Sequence, residues 1–407
     1  MSRSSFRWYW YLIGLSAIAL IVVFFKIEIK PHSPWNINKK QIADSLSKLP
    51  NFNQLPLELA IPDGDQVLTT KANYTINEGA QKYAKKIFSQ WKPDYGALAV
   101  MDATTGALIT LVSYTRAEGF NSDIINNNEF PAASVFKIVT ATAAIDQGIA
   151  TPDTIVPFNG RGTTLYKKNV MKKGTNRWTR YPTLKKAFGH SFNTVFGKLG
   201  IFYVGSSKLA KYADSFGFNK NFDSDIPIKY GSTGLTGLPT DDEWSVVEAA
   251  SGFTDSNTLS PIHGAMMAAS IVNNGTMMAP YVIHDIKDPK TDELLYEASP
   301  VIASHTMKPK TALEMRKLMR QTVKGGTVRR IFRNFLKHKK LQDVVVGGKT
   351  GSLDSINPKG RCDWFVGYAQ RDERKLAFAA VTVHEKFWRV KSATVMKDYL
   401  AHYFFNN

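Results

Sequence analysis

Residues 131–148 read Pro-Ala-Ala-Ser-Val-Phe-Lys-Ile-Val-Thr-Ala-Thr-Ala-Ala-Ile-Asp-Gln-Gly. Pro131 lies just upstream of Ser134. Ile138, Val139, Ala141, Ala143, Ala144 and Ile145 then continue an apolar run to Gln147-Gly148, a natural C-terminal stop. The pattern predicts a buried helix opened by Ser134-Val135-Phe136-Lys137. Residues three apart share a helix face, so the Ser134 hydroxyl and the Lys137 amine meet. Burial disfavours the ammonium form and makes the lysine a usable base. Ser-x-x-Lys arises about once or twice by chance in a chain of this size. Three copies occur, Ser45 to Lys48, Ser89 to Lys92 and Ser134 to Lys137. The first lies in a polar stretch before Pro50, and the second ends before Pro93, where a helix stops. Only the third opens an apolar helix.

Two more motifs belong with it. Ser191-Phe192-Asn193 lies between Gly189-His190 and the apolar run Val195, Phe196, Leu199, and reads as a loop entering a helix. Its plain structural reading is an N-cap serine. Another Ser-x-Asn, Ser355 to Asn357, falls in a polar loop. Lys349-Thr350-Gly351-Ser352 occurs once, at the end of the strand-like run Val344-Val345-Val346-Gly347-Gly348. A strand end presents a lysine, a hydroxyl and backbone N–H groups along one edge. A second cation beside Lys137 would lower its pKa further. The plain alternative is a solvated lysine at an ordinary strand end.

With these motifs the chain resembles the transpeptidase domain of penicillin-binding proteins, whose pattern is Ser-x-x-Lys, Ser-x-Asn and Lys-Thr-Gly. The resemblance runs from about Val67 to the C-terminus. It includes the hairpin-like segment Gly96 to Ser113, Phe216-Gly217-Phe218 followed by Gly237-Leu238-Pro239, Leu259-Ser260-Pro261-Ile262 with Asn273-Asn274-Gly275, and Asp363-Trp364-Phe365-Val366-Gly367-Tyr368. Phe192 is bulkier than the usual middle residue of its motif, and Ser352 stands where threonine is commoner. Neither removes a required functional group.

The resemblance implies a D-Ala-D-Ala transpeptidase that forms a covalent Ser134 acyl-enzyme with peptidoglycan stem peptides and with β-lactams. It implies Ser134, Lys137, Ser191 and Lys349 as catalytic residues. Asn193, Thr350, Gly351 and Ser352 would bind substrate, and the backbone N–H groups of Ser134 and Ser352 would form an oxyanion hole. No metal and no cofactor are expected. Related chemistries with the same motifs are a D,D-carboxypeptidase and a serine β-lactamase. Glu243 and Glu248 lie in the right stretch for a deacylating glutamate, in a context unlike that loop. Lys229-Tyr230-Gly231 resembles one motif of another β-lactamase class, which would lack Asn193. The non-enzyme readings are a β-lactam receptor and a wall-synthesis scaffold.

The expected fold is α/β of the α+β type. Ala97 to Asp102 and Ala107 to Ser113 read as strands, and so do Val344 to Gly348, Trp364 to Ala369 and Lys375 to Val383. Two early and three late strands imply a five-stranded antiparallel sheet completed by both chain ends. Helices would cover both faces, with a helical subdomain inserted over about residues 134–322. Asn77 to Gln90 and Ser392 to Phe405 read as flanking helices. The strand Val344 to Lys349 would then face the Ser134 helix.

Residues 1–30 read as a cytoplasmic tip and transmembrane anchor, because Trp8 to Phe25 is 18 residues without a charge, flanked by Arg3, Arg7 and Lys26. Trp8, Tyr9, Trp10 and Tyr11 suit a membrane–water interface, and no small-residue cleavage site follows. Residues 31–66 read as a linker with little structure, and residues 67–407 as the catalytic domain. The segment between anchor and first strand is too short for a glycosyltransferase domain. A separate membrane-bound glycosyltransferase or other wall-synthesis partner is therefore expected. The location expected is the bacterial cytoplasmic membrane, single-pass, with the domain outside.

The chain has 407 residues, 43% of them hydrophobic, enough for one large core. Cys362 is the lone cysteine, so no internal disulfide forms, and zinc-type spacings are absent. The net charge of +18 prompts a nucleic-acid reading, but no basic cluster sits in a known binding motif. The basic run Arg329 to Lys340 is a candidate contact for anionic lipid or wall polymer.

Overall fold

Residues alternate along the central strands between two separate apolar cores. A computed structural model describes residues 37–172, 174–235 and 242–406. The first elements are helix α1 (Lys39–Leu46), strands β1 (Glu58–Asp63) and β2 (Gln66–Tyr74), helix α2 (Glu78–Trp91), and strands β3 (Tyr95–Asp102) and β4 (Leu108–Thr115). The middle holds α3 (Lys137–Asp146), α4 (Lys167–Met171), α5 (Leu184–Gly189), α6 (Asn193–Leu199), α7 (Ser206–Ser215), α8 (Glu243–Ser251) and α9 (Pro261–Val272). Strands β5 (Thr276–Met278), β6 (Ile283–Lys287), β7 (Leu294–Glu297) and β8 (Ile302–His305) follow. The chain closes with α10 (Pro309–Lys324), α11 (Arg329–Lys337), β9 (Val345–Ser355), β10 (Gly360–Arg371), β11 (Arg374–His384) and α12 (Ser392–Asn406).

The five-stranded sheet has the order β4-β3-β11-β10-β9 and is antiparallel throughout. The two early and three late strands expected from the sequence therefore build one sheet. Ala97, Ala99, Met101, Trp364, Val366, Ala377, Ala379 and Val381 join the core that also holds α3 and α9. Leu98, Val100, Phe365, Leu376, Phe378 and Ala380 join the opposite core, with residues of α2, α11 and α12. Period-two alternation with both sides apolar marks a sheet buried on both faces. Helix α2 begins at Asn77, whose side chain caps Ala80 N, and ends at Lys92 in the left-handed region, just before Pro93.

Three expectations need correcting. Residues 39–63, read as unstructured linker, carry α1 and β1. Asn38 and Gln41 form a reciprocal capping box there, and β1 pairs with β2. The compact unit accordingly starts at Ile37 rather than Val67. Pro50 and Pro56 fall between α1 and β1, and Pro62 lies on the edge strand β1, where a proline is tolerated. The inserted subdomain is not purely helical: β6 and β7 join β1 and β2 in a four-stranded sheet, and β5 pairs with β8. These strands have only three to five residues, so local periodicity is weak. Finally, β9 does not end at Lys349 but runs to Ser355, so the Lys-Thr-Gly motif lies within a strand. No helix among the described residues is long and apolar enough to cross a membrane. The Trp8 to Phe25 stretch and Gly237-Leu238-Pro239 lie outside the described residues.

The sheet is tied to the Ser134 segment by one buried bond. Trp364 Nε1 on β10 donates to Pro131 O at 2.9 Å, and the indole stands edge-on to Phe130, 5.8 Å between ring centroids. Trp364→Phe keeps most of the apolar volume and leaves that carbonyl unpaired. It should lower stability by about 1–3 kcal/mol in chemical denaturation. An unchanged unfolding midpoint would show that the tie contributes nothing.

Candidate active site

Ser134 lies in a single 3-10 turn, Ala133–Phe136, that runs directly into α3. Ala133 holds a left-handed backbone, φ 48°, costly for a residue with a Cβ and commonly stored next to functional groups. Lys137 opens α3 and is fully buried. Its Nζ lies 2.6 Å from Ser134 Oγ, 2.8 Å from Asn193 Oδ1 and 2.5 Å from Ser251 O. Ser251 ends α8, so its carbonyl is one of the acceptors a helix C-terminus leaves free. Burial, reinforced by the charge of Lys349, holds the Lys137 amine well below the ordinary lysine value of 10.5. A neutral amine has two N–H donors, enough for Asn193 and Ser251. Its lone pair is then left for the Ser134 hydroxyl.

The second motif lies opposite in function. Ser191 has φ 58° and is not an N-cap; Phe192 occupies the cap position of α6 without a side-chain bond. Ser191 Oγ instead accepts from Lys349 Nζ at 2.9 Å. Asn193, the first residue of α6, bonds Lys137 through Oδ1 and donates through Nδ2 to Thr163 O at 2.8 Å. The bulky Phe192 turns away from the cleft: its ring lies against Gly162 and sits 5.3 Å from Phe158 and 5.7 Å from the His190 ring. It backs the cleft wall rather than filling the cleft.

The third motif arrives on β9, the edge strand beyond β10. In the register Lys349 pairs with Val366, Thr350 with Phe365, Gly351 with Trp364 and Ser352 with Asp363. Lys349 is fully buried, and burial lowers its amine to about 7. It also donates to Thr350 O at 2.7 Å. Thr350 Oγ1 meets Thr327 Oγ1 at 2.8 Å, and Ser352 Oγ accepts from Arg361 Nε at 3.0 Å.

Two glycines let these pieces approach. A Cβ on Gly351 would come within 3.1 Å of Ala132 O and of the Val135 side chain, so the strand lies directly on the serine turn. Gly252 ends α8 at φ 64°, and a Cβ there would reach 1.9 Å from Ala133 O. All eight residues proposed from sequence thus meet in one place, and the open space between them is a cleft of about 320 Å³. Ser134, Ser191, Asn193, Thr350, Gly351 and Ser352 line it, while the two lysine amines sit beneath.

Sequence reasoning missed several contributors. Ser251 acts through a backbone carbonyl, which no motif encodes. Gly252 was readable only as a helix stop. Thr163, Thr327, Arg361, Asp363, Trp388 and Lys391 also line the cleft. Asp363 is buried, and burial raises its carboxyl to about 6 although Ser392 N–H donates to it at 2.8 Å. Glu243 and Glu248 do not line the cleft; Glu248 accepts from Trp244 Nε1 at 2.9 Å. Cys362 is buried, and burial pushes its thiol up, as befits a packing residue.

Residues 96–401 match the penicillin binding protein transpeptidase domain. The chain belongs to this family. Among curated proteins, a stretch of 269 residues is 24% identical to stage V sporulation protein D of Bacillus subtilis, covering 63% of this chain and 38% of that protein. Another of 267 residues is 27% identical to peptidoglycan D,D-transpeptidase PbpA of Mycolicibacterium smegmatis, covering 62% and 49%. The match thus spans half or less of these two relatives. The fold matches the D,D-transpeptidase domain of a peptidoglycan glycosyltransferase from Eggerthella lenta, with TM-score 0.67, 24% identity and 83% coverage of each chain. It also matches the imipenem acyl-enzyme complex of Mycobacterium tuberculosis penicillin-binding protein A, with TM-score 0.66, 21% identity, and 82% of this chain and 80% of that one covered.

The lysines of this family member cost stability. Lys349 binds its proton more weakly in the fold than in the unfolded chain, whose value is the ordinary 10.5. Between pH 7 and 10.5 the unfolded state therefore holds more protons, and stability rises with pH across that window. Below pH 7 the cost of the buried charge is present in full. Lys349→Met should raise stability at pH 7 by on the order of a few kcal/mol, and the gain should shrink toward pH 10.5. A gain that does not vary with pH, or a loss at pH 7, would contradict the assignment.

Proposed function

We propose that this chain is a peptidoglycan D,D-transpeptidase working through a covalent Ser134 ester. The observation that carries the reading is the contact of Lys137 Nζ with Ser134 Oγ at 2.6 Å, with Asn193 and Ser251 taking the other bonds of that amine. Neutral Lys137 takes the hydroxyl proton as Ser134 Oγ attacks the carbonyl of the D-Ala-D-Ala peptide bond. The backbone N–H groups of Ser134 and Ser352 hold the oxyanion. The C–N bond then breaks, and Ser191, bonded to Lys349, relays a proton to the leaving amine of D-alanine. Asn193 aligns the donor stem, while Lys349, Thr350 and Ser352 receive its terminal carboxylate. Gly351 leaves the strand backbone open to it. The amine of a neighbouring stem attacks the ester, restores the Ser134 hydroxyl and forms the cross-link. A β-lactam opens on the same path, but its leaving amine stays attached, so the ester persists.

The names of relatives support the reading. One is a peptidoglycan D,D-transpeptidase, and a structural neighbour was solved as an imipenem acyl-enzyme. The Trp8 to Phe25 stretch would anchor the chain in the cytoplasmic membrane, with the compact unit that starts at Ile37 outside as the catalytic domain. A membrane-bound glycosyltransferase would supply new glycan strands. No cleft-lining glutamate favours the β-lactamase reading.

Fluorescent penicillin tests the proposal. Wild type should label stably, and Ser134→Ala should not label. Lys137→Met should acylate roughly 10²–10⁴ times more slowly. An unlabelled wild type would refute the acyl-enzyme. Rapid release of label would point to a β-lactamase, and muropeptide analysis would separate cross-linking from carboxypeptidase action.

A further inference from the structure

Acidic residues are missing from two long stretches of this chain. Between Asp153 and Asp214 there is no Asp or Glu but there are 12 Lys and Arg, and between Glu314 and Asp343 there are 10. The fold brings both stretches to one cleft. Thr163 from the first and Thr327 and Val328 from the second line it. Thr327 N–H also donates to Gly189 O at 3.0 Å, which joins the two stretches directly.

The first stretch includes an excursion, described over residues 160–172 and 174–181, that is fixed to the catalytic floor. Thr163 O accepts from Asn193, and Thr164 O accepts from Thr194 Oγ1 at 3.1 Å. Its far end returns through the pair of bonds between Phe158 and Arg180. Arg161, Lys167, Lys168, Lys172, Arg177 and Arg180 are exposed, and none forms an ion pair among the described residues. Large aromatics stand among them: Trp178 is 70% exposed, and Tyr166 and Tyr181 are also exposed. The Arg177 guanidinium lies 4.9 Å from the Trp178 ring. In the second stretch α11 buries Phe332 and Phe335 and turns Arg329, Arg330, Arg333 and Lys337 outward.

Cations without an ion-pair partner beside exposed indole and phenol rings fit an anionic phospholipid surface. Lipid phosphates take the cations, and the headgroup layer takes rings that are apolar on the face and polar at the edge. A linear polyphosphate, with no apolar or ring surface, would use the cations and leave the rings in water. We propose that residues 160–181 dock on an anionic phospholipid surface and hold the mouth of the catalytic cleft beside it. The basic face of α11 adds long-range attraction. This docking does not require Trp8 to Phe25 to span the bilayer, and goes beyond the catalytic reading.

Amide hydrogen exchange on the full chain, mixed with vesicles of phosphatidylcholine alone or with phosphatidylglycerol added, tests it. Exchange over residues 160–181 should slow only with the anionic lipid, and the protection should fade at about 0.5 M salt. Lys167→Gln, Lys168→Gln and Arg177→Gln together should cut docking about fivefold per cation. Trp178→Ser should weaken it while leaving the salt response. Equal exchange in both vesicle types would overturn the proposal. So would the same protection from soluble polyphosphate without lipid, which would make a linear polyanion the partner. Resistance to alkaline extraction reports the Trp8 to Phe25 anchor separately, and penicillin labelling reports the catalytic reading.

Discussion

A lysine amine with no exposed surface must find all its partners inside the protein, and Lys137 is such a residue. Its three neighbours come from three regions of the chain: the serine turn, α6 and the C-terminus of α8. Moving any of them would leave a buried polar group unmet, at a cost of about 1–3 kcal/mol. The site geometry is thus held by the same bonds that make burial of the amine tolerable. Lys349 repeats the arrangement from the sheet side, with Ser191 and its own strand as partners. Burial is the first cause of the lowered value in both lysines, and for Lys137 the second amine adds to it.

The sheet supplies the rigidity this requires. Strand β9 is an edge strand, yet β10 beside it is buried on both faces, so the motif strand rests on a packed support. Trp364 links that support to the carbonyl of Pro131, three residues before the serine. Gly351 and Gly252 then allow backbone to lie against backbone on either side of the serine turn. The strain at Ala133, next to Ser134, and at Ser191 sits beside two of the hydroxyls that line the cleft, where surrounding bonds hold it in place.

Much of this was legible in the sequence, for identifiable reasons. The five strands of the main sheet carry long apolar runs, so their number and their assembly into one antiparallel sheet could be reasoned out, though not their order. Ser134 could be told from the two other Ser-x-x-Lys serines by the apolar helix that follows. Ser45 indeed bonds only its own helix, at Gln41 O, and Lys92 only ends a helix. The short strands β5 to β8 were not legible, because three to five residues carry too little periodicity to mark a strand. Residues 39–63 were misread because prolines and polar residues outweighed a capping box at Asn38. Ser251 contributes a carbonyl, which side-chain motifs cannot reveal. Phe192, bulkier than the usual middle residue of its motif, packs behind the cleft wall, a placement the sequence alone does not reveal.

The account turns on the protonation state of Lys137, and the pH dependence of acylation reads it most directly. The first-order acylation constant at saturating penicillin removes substrate binding from the measurement. It should rise with pH and reach its plateau well below the ordinary lysine value of 10.5. A rate still climbing through pH 10.5 would mean that Lys137 is an ordinary ammonium, and that the base for Ser134 lies elsewhere.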